Sequence, residues 1–221
     1  MVSNLGGSST PQDGWKPLAI FGFAAGLFLI AFIVANGSWV KPSPDLMLAT
    51  FQSNTAGVDL TGVNLGIAVA AAIPFFALLG TSLRSRGPGL ALGATLLISI
   101  GFAVIALSTA IFVAVLNGIV NAGNAPASTD AAYQAAIWEG AYQTSGYLGL
   151  ALSGLGLILF GLLMWKSKVY PNWLAVICFI GGVGGFVSLI GILDIINGVA
   201  LLILFFGVAV MVVRGRTKAS G

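Results

Sequence analysis

Long, mostly apolar stretches without charge alternate along this chain with short segments that hold all of its charged residues. There are six such stretches, and each can supply the about 20 residues with which a helix crosses roughly 30 Å of hydrocarbon. Lipid offers no partners to backbone N–H and C=O groups, so segments of this kind must be helical. The stretches are 18–40, 60–83, 87–129, 140–165, 169–193 and 195–213.

This pattern predicts an all-α fold, an integral membrane bundle of six transmembrane helices. A flexible tail over 1–16 precedes the membrane domain over 17–213, and a basic tail over 214–221 follows it. The first span is long for the apolar region of a signal peptide, which runs about 7–15 residues. We therefore interpret it as a membrane helix, with cleavage and five remaining spans as the alternative.

The charges sort by side along a six-helix path, with only Asp13 and Lys41 out of place. Lys and Arg collect in cytoplasmic loops, and that bias sets the orientation of a membrane protein. Both termini are therefore predicted to be cytoplasmic. One side receives Lys16, Arg84, Arg86, Lys166, Lys168, Arg214, Arg216 and Lys218, and the other receives Asp45, Asp59, Asp130, Glu139 and Asp194.

The third and fourth predicted helices, 89–120 and 131–165, are longer than a bilayer requires. At 1.5 Å per residue they measure roughly 48 and 52 Å. Because their basic ends at Arg86 and Lys166 are held at the inner face, we expect the excess length to tilt or to project outward.

Three local features interrupt the regular pattern. Pro74 falls in the middle of the second span, where its missing N–H should kink the helix near Ala70. Ser43-Pro44-Asp45 has the residue types of a helix start, so a short surface helix or an irregular loop follows the first span. The stretch 194–198, Asp-Ile-Ile-Asn-Gly, supplies turn residues between the last two helices.

Glycine is abundant, with 31 residues in the chain. Pairs spaced four apart occur about as often as chance predicts, so they do not by themselves indicate a helix-pairing motif. The high content still implies close helix packing, most of all along 181–185.

The core lacks the residues that most catalytic and metal sites use. There is no histidine and one cysteine, Cys178, which lies within a span and is best interpreted as a small buried hydrophobe. Haem ligation by His or Cys, iron–sulfur clusters and structural zinc sites are close to excluded, so no cofactor is expected. The basic residues form small flanking clusters, which does not favour nucleic-acid binding.

Polar side chains gather at the outer part of the third and fourth helices. An ionisable group within a membrane is a functional candidate, and Glu139 is the first such residue here. Its alternative is a solvated position at the interface, and the alternative for Asp194 is a cap or turn. The candidate outer-face site comprises Glu139, Tyr142, Gln143, Tyr133, Asn117 and Asp194.

The segment 144–174 carries a Gly-rich span, a short basic link and a Pro that opens the next span. The characteristic residues are Gly161, Leu163, Lys166-Ser167-Lys168, Pro171 and Leu174. This part of the chain resembles the bacterial membrane family called domain of unknown function 4386, over about 140–193. The resemblance implies a multi-pass protein of the bacterial inner membrane and implies no activity.

Three hypotheses for function remain open. The first is a non-enzymatic accessory or interaction subunit, with the lipid bilayer and a protein partner or a homo-oligomer as its contacts. The second is a transporter or channel for a small neutral or apolar solute, since no span carries a charge. The third is an outer-face enzyme using Glu139 and Asp194, which requires the two carboxyl groups to converge.

Overall fold

Helices form nearly all of the backbone in the computed structural model, which describes residues 16–39, 49, 53, 55–121, 129–187 and 194–214. Six long α-helices lie in these ranges, as the sequence predicted, and the 3₁₀ turn Arg84–Arg86 joins the second helix to the third. The helices are α1 Lys16–Trp39, α2 Thr55–Leu83, α3 Pro88–Asn121, α4 Thr129–Ser167, α5 Asn172–Phe186 and α6 Asp194–Val213.

Five of the six helices are long and apolar enough to cross a membrane, and α5 is a shorter apolar helix of 15 residues. The predicted fifth span continues to Leu193, but residues 188–193 lie outside the described part of the chain. The short surface helix predicted after Ser43 also lies there, apart from the helical residues Ala49 and Ser53. The flexible tail over 1–16 and the basic tail over 214–221 are described only at Lys16 and Arg214.

α3 and α4 have 34 and 39 residues, which confirms that both exceed the thickness of a bilayer. Their extra length carries a small apolar cluster of its own, separate from the main core and composed of Phe112, Leu116, Ile119 and Ala135. We call this part of the two helices the α3–α4 extension.

The helices form a closed ring in which each one packs against its neighbours in sequence and α6 returns to α1. Gly22 of α1 lies against Phe205 and Ala209 of α6, so Lys16 and Arg214 point to the same end of the bundle. At this end Ser82 and Tyr170 share a hydrogen bond of 3.1 Å, which joins α2 to the link before α5. The described basic residues therefore gather at one end, which we call the basic end.

A cluster of phenylalanines fills the middle of the ring. Phe76 of α2 stacks on Phe160 of α4 with ring centroids 5.6 Å apart. Its neighbour Phe75 meets Phe205 of α6 edge-on at 5.0 Å, and Phe102 of α3 lies 5.9 Å from Phe76. Offset and edge-to-face pairs are the favourable arrangements of aromatic rings, so this cluster ties four helices together.

Glycines allow the backbones of α4 and α5 to touch. A Cβ on Gly154 of α4 would lie 2.6 Å from the carbonyl oxygen of Gly182 and 2.7 Å from the amide nitrogen of Phe186. Of the pairs spaced four apart, Gly62 and Gly66 have open space around them, whereas Gly181 and Gly185 face close neighbours. Close packing along 181–185 is thus confirmed. Whether a glycine contacts a neighbouring helix depends on which helix faces it, and not on its spacing from another glycine.

Substituting Gly154 by alanine should loosen the bundle, because the new methyl group meets the α5 backbone, which cannot move aside cheaply. We expect Gly154→Ala to lower the free energy of unfolding by about 1–3 kcal/mol, the usual cost of overpacking. Gly66→Ala is the matched control, since it makes the same change on a lipid-facing surface with open space. Thermal unfolding in mild detergent measures both; equal melting temperatures would contradict the packing described.

Candidate functional site

A cavity of about 480 Å³ lies between five of the six helices. α2 contributes Leu65, Ala68, Val69 and Ala72, which share one helical face through spacings of three and four. α4 contributes the face 143, 146, 147 and 150 in the same way. Small residues at Ala68, Ala72 and Gly146 leave the space open.

The floor of the cavity belongs to the phenylalanine cluster, because Phe102 and Phe205 line it. The remaining lining residues come from Leu29, Phe32 and Ile33 of α1, Ile105 of α3, and the first turns of α6. The cavity therefore occupies the half of the bundle opposite the basic end.

Asn197 is the most unusual side chain of the lining. It is 1% exposed and its Nδ2 donates a hydrogen bond of 2.7 Å to the carbonyl oxygen of Gly181 in α5. Its Oδ1 is buried and has no hydrogen-bond partner in the described structure. A buried acceptor without a partner is uncommon, because a buried polar atom that makes no hydrogen bond costs about 1–3 kcal/mol.

The sequence reading of 194–198 as a turn was wrong. All five residues lie in α6, which begins at Asp194. Asp, Asn and Gly are typical of turns but are also found at the starts of helices, and here they lie in the first residues of α6. A lone amide within an apolar span was the signal that could have identified Asn197 as a site residue.

The structure distributes the six predicted site residues over several environments. Tyr142 and Gln143 line the cavity, and Gln143 also donates a 3.2 Å hydrogen bond to Glu139 at the exposed surface of α4. Tyr133 is 69% exposed and Asn117 is half-buried, both on the α3–α4 extension. The side chain of Asp194 lies outside the described residues, so its approach to Glu139 stays a prediction.

Tyr142 connects the cavity to the α3–α4 extension. Its ring stacks on Phe112 of α3 with centroids 4.8 Å apart and an interplanar angle of 12°. The same side chain thus packs against the small apolar cluster and borders the cavity.

Pro74 lies inside α2, as predicted, two residues beyond Ala72 of the cavity wall. It has no N–H to donate to the carbonyl of Ala70, so the helix lacks one backbone bond beside the cavity. The kink expected there stays a prediction.

Cys178 lies outside the cavity lining. It is 1% exposed within the main core, and its sulfur lies 3.9 Å from that of Met164. Among the described residues, no three His, Cys, Asp or Glu side chains come together in a group that could hold a metal ion.

A larger recess of about 1010 Å³ lies at the basic end, between α6 and the residues from Lys168 to Trp173. The walls of this recess come only from α6, the start of α5 and the link before α5, whereas five helices line the cavity. The cavity is therefore the better candidate for a binding site, since such sites bury most of their ligand.

Comparison with protein-family models matches residues 18–214 to a domain of unknown function, DUF4386. The chain belongs to the DUF4386 family. The match covers almost all of this DUF4386 protein and so extends well beyond the segment 140–193 on which the resemblance was noticed. Comparison with curated proteins and with solved structures gave no match.

The residues that carried the resemblance build the α4–α5 connection of the DUF4386 protein at the basic end. Leu163 and Leu174 are buried, and Pro171 immediately precedes α5. Lys168 adopts a left-handed backbone, with φ of 56°, and its Nζ donates a 3.2 Å hydrogen bond to the Asn172 side chain. These motif residues form a turn remote from the cavity.

Next to this turn, Tyr170 is buried against the end of α2. Ser82 Oγ donates a hydrogen bond of 2.6 Å to the carbonyl oxygen of Leu79 and also shares the 3.1 Å bond with the Tyr170 hydroxyl. Burial raises the pKa of Tyr170 to about 12, although the Ser82 bond acts in the opposite direction. The connection is therefore a fixed structural element in the DUF4386 protein.

Proposed function

We propose that this protein binds and carries a small, uncharged and mostly apolar solute in the cavity between its helices. The observation that carries the proposal is the cavity itself, because its lining contains no charged side chain among the described residues. Its volume of about 480 Å³ falls within the 300–1,000 Å³ typical of ligand pockets.

An apolar lining selects against ions for a simple physical reason. A charge that enters such a space loses its hydration and finds no opposite charge, which costs far more than the transfer of a neutral group. Tyr142, Gln143, Tyr147 and Asn197 supply the few polar contacts that fix the orientation of a neutral solute.

Transport across the membrane requires the floor of the cavity to move. Phe205 and Phe102 separate the cavity from the basic end, and Pro74 weakens α2 next to the phenylalanines at 75 and 76. Bending of α2 at this point would shift the rings that close the path.

Filling the cavity should abolish binding. Gly146 lines it, and a Cβ there would meet no atom within 4 Å, so the side chain of Gly146→Leu begins in open space. We expect at least a tenfold loss of affinity for an apolar probe such as 4-phenylphenol, measured by ligand-detected NMR with protein in lipid nanodiscs.

Gly140→Leu is the control for that experiment, since Gly140 is also on α4 with open space around it but does not line the cavity. Empty nanodiscs correct for partition of the probe into lipid. If Gly146→Leu binds as tightly as wild type, the cavity is not the binding site.

We further propose that the basic end faces the cytoplasm, in the inner membrane of a bacterium. The support is the sorting of the charges, with Arg84, Arg86 and Lys168 at one end and Asp130 and Glu139 at the other.

Cysteine labelling tests this orientation, because the one native thiol, Cys178, is buried. We expect a membrane-impermeant maleimide to label Gly140→Cys in intact cells and to label Ser85→Cys only after permeabilisation. Both positions are exposed, so accessibility within the protein is matched. Labelling of Ser85→Cys in intact cells would reverse the assignment.

A second candidate function is that of an accessory or interaction subunit. A specific observation favours it: Tyr133, Ile137 and Trp138 are 69%, 54% and 40% exposed on the α3–α4 extension. Exposed aromatic side chains are common at the centres of protein interfaces.

For this function, we expect affinity purification in mild detergent to recover a stoichiometric partner or a defined homo-oligomer. Replacing Tyr133, Ile137 and Trp138 together by alanine should remove it, whereas Leu92→Ala, an exposed position away from the extension, should not. A wild-type protein that purifies as a monomer with nothing bound would exclude the interaction role.

A further inference from the structure

Asn197 lines the cavity, and its side-chain oxygen is a buried acceptor without a partner in the described structure. The residue is 1% exposed, lines the cavity, and uses its other polar atom on the Gly181 carbonyl at 2.7 Å. Oδ1 makes no hydrogen bond in the described structure. A group of this kind, inside a membrane span, indicates a binding role more strongly than a packing role.

The assignment of the two amide atoms follows from chemistry. The carbonyl oxygen of Gly181 can only accept, so the atom that approaches it to 2.7 Å must be the NH₂ group of Asn197. A flipped amide would bring two oxygen atoms together and would leave the NH₂ group unpaired instead. Oδ1 is therefore the amide atom that lacks a hydrogen-bond partner.

The bond to Gly181 also fixes the position of the amide. It links the first turn of α6 to the glycine-rich part of α5, where Gly185 leaves room for the Asn197 side chain. An acceptor held in place before binding loses little freedom when a ligand arrives, which improves both affinity and selectivity.

We propose that Asn197 Oδ1 accepts a hydrogen bond from the hydroxyl group of the bound solute, so that the protein recognises apolar alcohols or phenols. This inference rests on the proposed function and specifies its ligand class. A buried acceptor without a partner in a mostly apolar space matches a molecule with one donor, and the described lining residues include no carboxylate to neutralise a cationic amine.

Two probes that differ in one donor test the inference. 4-Phenylphenol carries an O–H, and in 4-methoxybiphenyl a methyl group replaces the hydroxyl hydrogen, so that the donor is lost. With wild-type protein in lipid nanodiscs, we expect the phenol to bind about tenfold tighter after correction for partition into empty discs, because only the phenol satisfies Oδ1.

Variants separate this role from a structural one. In Asn197→Leu the preference for the phenol should fall to within about twofold, whatever happens to the absolute affinities, because a structural defect weakens both probes alike. Asn172→Leu is the matched control, since Asn172 bonds Lys168 at the basic end and should keep the full preference. If Asn197→Leu does not fold, Asn197→Ser, whose hydroxyl is too short to reach a ligand in the same way, replaces it.

The outcomes distinguish the two proposals. If neither probe binds wild-type protein, the proposed function fails and the inference fails with it. If both probes bind wild type equally well, the binding function stands, but Asn197 does not recognise the hydroxyl group of the ligand. If the preference persists in Asn197→Leu, another group in the cavity accepts the hydrogen bond, and the assignment to Asn197 is overturned.

Discussion

The demand of the backbone for hydrogen bonds in lipid governs this structure. An unpaired N–H or C=O costs several kcal/mol in hydrocarbon, so each span must satisfy its own backbone as a helix before anything else can form. Hydrophobic burial cannot then hold the helices together, because lipid tails are as apolar as leucine. Association has to come from close contact, and the glycines at Gly154 and Gly182 provide it where α4 meets α5.

Ring closure and complete packing compete in a bundle of this kind. Six helices around a common axis leave a central space that side chains must fill. Large rings, Phe75, Phe76, Phe160 and Phe205, fill it in the half towards the basic end. In the other half the lining includes the small residues Ala68, Ala72 and Gly146, and the cavity lies there. The difference between the two halves is thus a matter of side-chain volume on an otherwise continuous scaffold.

Charge and apolar length predicted the helices well, since both are local properties that lipid enforces directly. The long α3 and α4 followed from Arg86 and Lys166, which mark the basic ends of those spans. The cavity did not follow, because Ala68 and Gly146 are ordinary span residues until their facing helices are known. Asn197 was misassigned for a related reason: its neighbours Asp194 and Gly198 suit a turn and a helix start equally. Among the described side chains of the predicted site, Tyr142 and Gln143 border the cavity, whereas Glu139, one helical turn before Gln143, lies beyond its lining.

The return of α6 to α1 has a consequence for the biogenesis of the protein. Chains enter the membrane from the N-terminus, and the earlier helices are in place while the ribosome still makes the last one. α6 supplies one wall of the cavity, part of its floor through Phe205, and the amide of Asn197. Without α6, the contacts of α1 and α5 that close the ring are missing. The cavity is therefore complete only once α6, the helix that closes the ring, has packed against α1.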